Sequence, residues 1–223
     1  TVTANAQRGA TDRGITALAT RTATGVDVVA QSDMFAAALT VAGGASDSVG
    51  VAGAFSNVTA IRTTEAQINA STVTTNGNAT ILADSDATLE TLAGGVAGGG
   101  AAGVGVGAAV TFHSDTTEAS VEGSGTLIAR GLAGGTYMPT GSELGGAKVL
   151  NSASGLAVSA VSDQTIITGA VGAGASGNIG VAGTAAVSVQ EEYTRAWIGA
   201  GTVVSDDGAS TGQDATVLAR DNG

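Results

Sequence analysis

Cysteine is absent from this chain, so no disulfide staples it, and its lack suits a chain that crosses an oxidising compartment. There is one proline, and only 3% of the residues are aromatic. A globular core of this size normally holds more Phe, Leu and Trp, so a conventional compact interior is excluded. Basic residues are few, eight Lys plus Arg against 19 Asp plus Glu, and they are scattered singly. Nucleic-acid binding needs clustered Lys and Arg, so that class is excluded too. No run of about 20 residues has the Leu, Ile and Phe content of a membrane helix. The nearest, residues 92–112, is mostly Gly and Ala. The net charge of −11 suits a surface protein that repels its neighbours.

What is abundant is glycine, 36 residues, in an ordered pattern. The run Gly94 to Val110 contains no charge and nothing larger than valine. It is too rich in glycine for a stable helix, where each Gly costs about 1 kcal/mol relative to Ala. From Gly103 onward it alternates strictly: Val104, Val106, Ala108, Val110 and Phe112 on one side, Gly103, Gly105, Gly107, Ala109 and Thr111 on the other. A period of two marks a β-strand, and its bare side lets another backbone layer approach. The expected inward set is Val104, Val106, Val110 and Phe112, with Ile179, Val181, Val187 and Val189 in the same phase.

The pattern recurs. Val49-Gly50-Val51, Ala102-Gly103-Val104 and Ile179-Gly180-Val181 open three similar segments. Sixteen residues after each comes Glu65, Glu118 or Arg195 within Thr64-Glu65-Ala66, Thr117-Glu118-Ala119 and Thr194-Arg195-Ala196. A third landmark appears as Val26 to Ala30, Ala79 to Ala83, Ala147 to Asn151 and Ala215 to Ala219. Repeat units of 26–78, 79–146 and 147–214 follow, with a fresh start at 215–223. On this alignment about nine residues are inserted within the third unit. Fixed strand motifs with variable spacing place insertions in turns, as in solenoids. The expected fold is all-β, a right-handed parallel β-helix (β-solenoid) that forms one segment of a longer repeat array. Coils of roughly 20 residues would give ten or eleven layers and a rod about 50 Å long. The stretch 132–145, which holds Tyr137, is expected as a loop outside the repeat.

Candidate chemistry is sparse. His113, the single histidine, lacks counterparts in the other copies, where Ala60 and Gln190 stand, and reads as a solvated turn residue. The pairs Asp84/Asp86 and Asp206/Asp207 are the calcium candidates, through carboxylate oxygens, although the glycines of a calcium β-roll are missing. No other metal, cofactor or catalytic residue is expected. Glu191 and Glu192 are adjacent and would face opposite ways in a strand, so they do not form a glycosidase pair. The glycines of 94–100 lack the Gly-Lys-Ser/Thr of a phosphate loop. Sequons occur at Asn57, Asn69 and Asn78, as chance supplies in a Thr-rich chain. Trp197 is expected to face outward, between inward Ala196 and Ile198. It and Tyr137 are the candidate ligand or partner contacts.

The elements Asn78 to Ala83, Leu92 to Gly100, Gly107 to Val110 and Thr194 to Gly201 resemble the Ala/Gly/Val-rich repeats of large secreted proteins of Gram-negative bacteria. These are the filamentous-haemagglutinin-like and leukotoxin-type adhesins. The resemblance implies an exported parallel β-helix at the cell surface that serves as a stalk or fibre. It supplies no catalytic residue, and it leaves identical subunits, joined end to end, as the expected partner. The competing expectations are a β-helical carbohydrate-binding or polysaccharide-active protein and an ice-binding or mineral-templating surface.

Overall fold

The computed structural model describes residues 4–5, 14–16, 21–23, 25–69, 72–132, 136–144, 147–200, 202–205 and 214–222. The protein is all-β, and among the described residues there is no helix. No helix is long and apolar enough to cross a membrane. Short strands β1 (Ala4–Asn5), β2 (Gly14–Thr16) and β3 (Arg21–Ala23) come first. A first pass follows as β4 (Val26–Ser46), β5 (Val49–Asn69) and β6 (Val73–Thr75). The second is β7 (Ala79–Gly99), β8 (Ala102–Glu122) and β9 (Thr126–Ala129). A hairpin, β10 (Thr136–Leu144) with β11 (Ala147–Ala153), interrupts the chain. The third pass is β12 (Gly155–Ser176), β13 (Ile179–Ile198) and β14 (Val203–Ser205), and β15 (Asp214–Asn222) begins a fourth.

Corresponding strands of successive passes lie side by side and parallel. The sheets are ordered β4-β7-β12-β15, β5-β8-β13 and β3-β6-β9-β14, with β1 and β2 attached beyond β5. The long strands have 20 to 22 residues, about 70 Å at 3.3 Å per residue, far beyond the usual five or six. The expected coil of roughly 20 residues is therefore a single strand. One pass takes 53 residues, from Val26 to Ala79. Three to four layers span only about 14–19 Å along the stack, not the expected 50 Å.

Register also relocates the third landmark. Val158, not Val149, pairs with Ile81 and so with the row of Val28. Counted this way, 37 residues separate Val28 from Glu65, Ile81 from Glu118 and Val158 from Arg195. No insertion interrupts the third pass after all; the extra residues form the hairpin before it. Most of the expected loop 132–145 is strand β10, antiparallel to β11. Gly155 closes this excursion with φ of 104°, a left-handed conformation that favours glycine, and its N–H donates to Asn78 Oδ1 at 2.9 Å.

The two long sheets face each other, and the phase of burial is the reverse of expectation. Gly103, Gly105, Gly107, Ala109 and Thr111 point inward; Val106 is 43% exposed, and Ile179, Val181, Val187 and Val189 are exposed as well. Val104, Val110 and Phe112 share the outward phase and are half-buried. The reason is proximity. A Cβ on Gly105 would lie 2.6 Å from the carbonyl oxygen of Gly95 and would collide with that of Ala173, both across the interior. Gly103 and Gly107 have only 3.0 Å to the oxygens of Ala97 and Ala93. The sheets approach closer there than the usual separation of about 10 Å, and only glycine fits.

Away from this tip the inward side chains grow. Ala54, Ala93 and Ala109 pack together first, then Leu89 with Val58 and Ala60. At the far end Val26, Ile81, Val158, Ile68 and Val121 meet Val73 and Leu127 of the third sheet, the largest apolar cluster.

Candidate functional site

Between the large cluster and the narrow tip lies a buried polar belt. It is built by register. On one sheet Arg62, Asp115 and Glu192 form one inward row. On the facing sheet Ser32, Ser85, Ser162 and Asp221 form another. Arg62 Nη2 donates to Asp115 Oδ2 at 2.7 Å, with both side chains at most 5% exposed. Ser85 and Ser162 donate their hydroxyls to the same oxygen, at 2.7 and 3.2 Å. Arg62 Nη1 also donates to the carbonyl oxygen of Asp86. Asp115 Oδ2 thus gathers donors from three passes. A buried charge pair survives only when hydrogen bonds compensate its lost hydration, and these do so.

Glu192 is the next carboxyl of the row. Burial first, then a hydrogen bond with Asp221 and the charges of Asp221 and Asp115, push its pKa up to about 8. It therefore holds its proton at neutral pH. Glu191 points the other way and is exposed, as the alternation requires.

His113 is one position along the same inward face. It is fully buried inside β8, which runs on to Glu122, so it is neither solvated nor in a turn. The expectation failed because Phe112 was taken as the strand end. Burial holds the imidazole below its usual pKa of 6.5; Asp115 opposes this shift and Arg62 adds to it. Neither ring nitrogen has a hydrogen-bond partner in the chain. Farther toward the tip, Thr111 Oγ1 bonds Thr91 Oγ1 at 2.8 Å and Thr168 Oγ1 at 2.7 Å, tying three strands together.

On the outer face Asp33, Asp86, Asp163 and Asn222 form one row. Carboxylate oxygens of Asp84, Asp86 and Asp163 lie within 4.8 Å of one another. Asn222 Nδ2 donates to Asp163 Oδ1 at 2.7 Å. Two of the sequence candidates, Asp84 and Asp86, are thus brought together, and Asp163, 77 residues beyond Asp86, joins them. The available signal was the dipeptide Ser-Asp, at Ser32-Asp33, Ser85-Asp86 and Ser162-Asp163. In each copy the serine points in to the buried belt and the aspartate points out. Three carboxylates are a cation-attracting group of the hard, oxygen type, yet calcium takes six to eight oxygens, and the trio alone falls short. Asp206 and Asp207 lie outside the described residues, as does the side chain of Tyr137.

Trp197 sits on the outer phase of β13, while Ala196 and Ile198 pack against the core. Arg195 lies over its ring, 3.8 Å from the centroid, and 5.1 Å from that of Tyr193. The guanidinium also pairs with Glu118 at 2.7 Å. Trp197 is therefore held in a stack along its own edge strand. Comparison with known proteins finds no matching family model, no matching curated protein and no matching solved structure.

Proposed function

We propose that the chain is a structural segment of a right-handed parallel β-solenoid, part of a longer array that acts as the stalk or fibre of a secreted or cell-surface bacterial adhesin. One observation carries the reading: three passes stack residue for residue, Val26 on Ala79 on Leu156, along strands of about 21 residues. Such stacking has no natural end. The edge of β13 and of β12 beyond Asp163 carries unpaired N–H and C=O groups among the described residues, which another layer of the array would pair. Mechanically, each layer adds backbone hydrogen bonds along the fibre axis, and the belt of Arg62, Asp115 and Ser85 resists sliding between layers.

The reading is non-catalytic, because the acidic and basic groups that come together inside are spent on one another. A carbohydrate-binding reading rests on Trp197, whose ring Arg195 already covers. An ice-binding face would need outward ranks of threonine, whereas Thr91, Thr111 and Thr117 are buried. Immunogold electron microscopy of the source cells, with an antibody against this segment, tests the proposal. Label along surface fibres is expected; label confined to the cytoplasm would overturn it, as would turnover of a polysaccharide panel by the purified chain.

A further inference from the structure

The outer face of the β5-β8-β13 sheet is apolar where nothing covers it. Over 49–59, 102–112 and 179–189 the three strands carry no charged residue at all, in a chain of net charge −11. Val51 is 67% exposed and Phe55 60%. The area is about 36 Å along the strands by 14 Å across them, about 500 Å². That lies within the upper range of what a lone protein exposes in one patch.

Two glycines on this face have no internal reason to be glycine. A Cβ on Gly53 or Gly183 would meet nothing within 4 Å, in contrast to the inward glycines of the same strands. A strand interior gains packing and order from any larger residue, so an open glycine there marks a surface that something else approaches. Gly53, Val106 and Gly183 form one row across the sheet, two hollows around one projection. The adjacent outward row is Phe55, Ala108 and Ala185, one projection beside two small residues.

These rows are complementary to each other. A two-fold axis running across the strands at Gly107 sets Phe55 of one copy over Gly53 of the other, and Val106 over Ala108. The same axis reverses the strands, which puts the outward charges Glu65, Glu118 and Arg195 of the two copies at opposite ends. Across two copies the contact buries about 1,000 Å², the floor for a specific interface. We propose that this face is a homodimer interface, through which two copies pack sheet against sheet. The association is lateral and independent of any stacking at the strand edges.

The chain has no cysteine, so single cysteines report on each face. Gly183→Cys probes the proposed interface, and Gly43→Cys, equally open, probes the outer face of the opposite sheet. Maleimide labelling of the folded 223-residue chain is followed from nanomolar to high micromolar concentration. The rate at position 183 should fall at least tenfold as concentration rises, while that at position 43 stays level. Val106→Lys, combined with Gly183→Cys, should restore fast labelling at every concentration and should sediment as a lighter species than the parent. Labelling at 183 that is independent of concentration would overturn the proposal, and so would protection that persists with Val106→Lys. Protection at 43 in place of 183 would assign the contact to the other sheet and equally sink it.

Discussion

The two halves of each long strand solve the same packing problem in opposite ways. Near the third sheet the interior is wide, and Val, Ile and Leu fill it beside a charged belt. Near the turns it is so narrow that carbonyl oxygens of one sheet occupy the space a side chain would take on the other. The wide half carries nearly all the charge. The narrow half, between residues 34 and 60 for example, carries only Asp47. Specificity in the wide half comes from polar pairs that tolerate no slip, and in the narrow half from the absence of side chains. The comparison teaches that alternation identifies two faces but not which is inside: where sheets close tightly, the smaller set goes in.

The sharpest way to break the comparison is to put a side chain into the narrow half. Gly105→Val should abolish folding or cost about 3 kcal/mol or more, because backbone on the far sheet cannot yield. Urea unfolding followed by circular dichroism measures it; a variant as stable as the parent would mean that the sheets are farther apart. In the wide half, Asp115→Ala should cost about 3–5 kcal/mol, since Arg62 is left buried without its counter-charge. The double change of Arg62 and Asp115 to leucine should recover much of that loss in the same assay.

Titration separates the halves further. In the unfolded chain Glu192 releases its proton near its ordinary value of 4.5, and in the folded chain only near 8. Between these values the folded state binds more protons, so stability falls as pH rises from about 4.5 to about 8. Glu192→Gln should flatten that slope, seen in unfolding free energies across the window; an unchanged slope would remove Glu192 as its source. A smaller effect is expected on the acidic outer row. Asp86→Asn relieves repulsion between Asp33 and Asp163 and should stabilise by about 0.2–1 kcal/mol at low salt, with the gain fading as salt is added. Smallest of all should be Val106→Asp. Its side chain faces solvent, so a melt of the dilute monomer should stay within about 0.5 kcal/mol of the parent.

Alternation, the three-fold recurrence and the scarcity of charge identified an all-β protein with long repeating strands, and the pairing of Glu65, Glu118 and Arg195 in one row was legible from their spacing. Residue pattern suffices there because strand period and parallel register are local or simply repeated properties. The choice of inner face was not legible, because it depends on the distance between two sheets, which no single strand encodes. The length of a pass was misjudged for a related reason: alternation runs unbroken through Phe112 and His113, and only the turns at 47–48, 100–101 and 177–178 show where a strand ends. The buried belt and the trio of Asp84, Asp86 and Asp163 join residues from different passes. Sequence supplied the Ser-Asp dipeptides; only the stacking of passes, with the hairpin set outside the repeat, brought those serines onto Asp115 and those aspartates onto one another, since hydrogen bonds and charge repulsion act across space rather than along the chain.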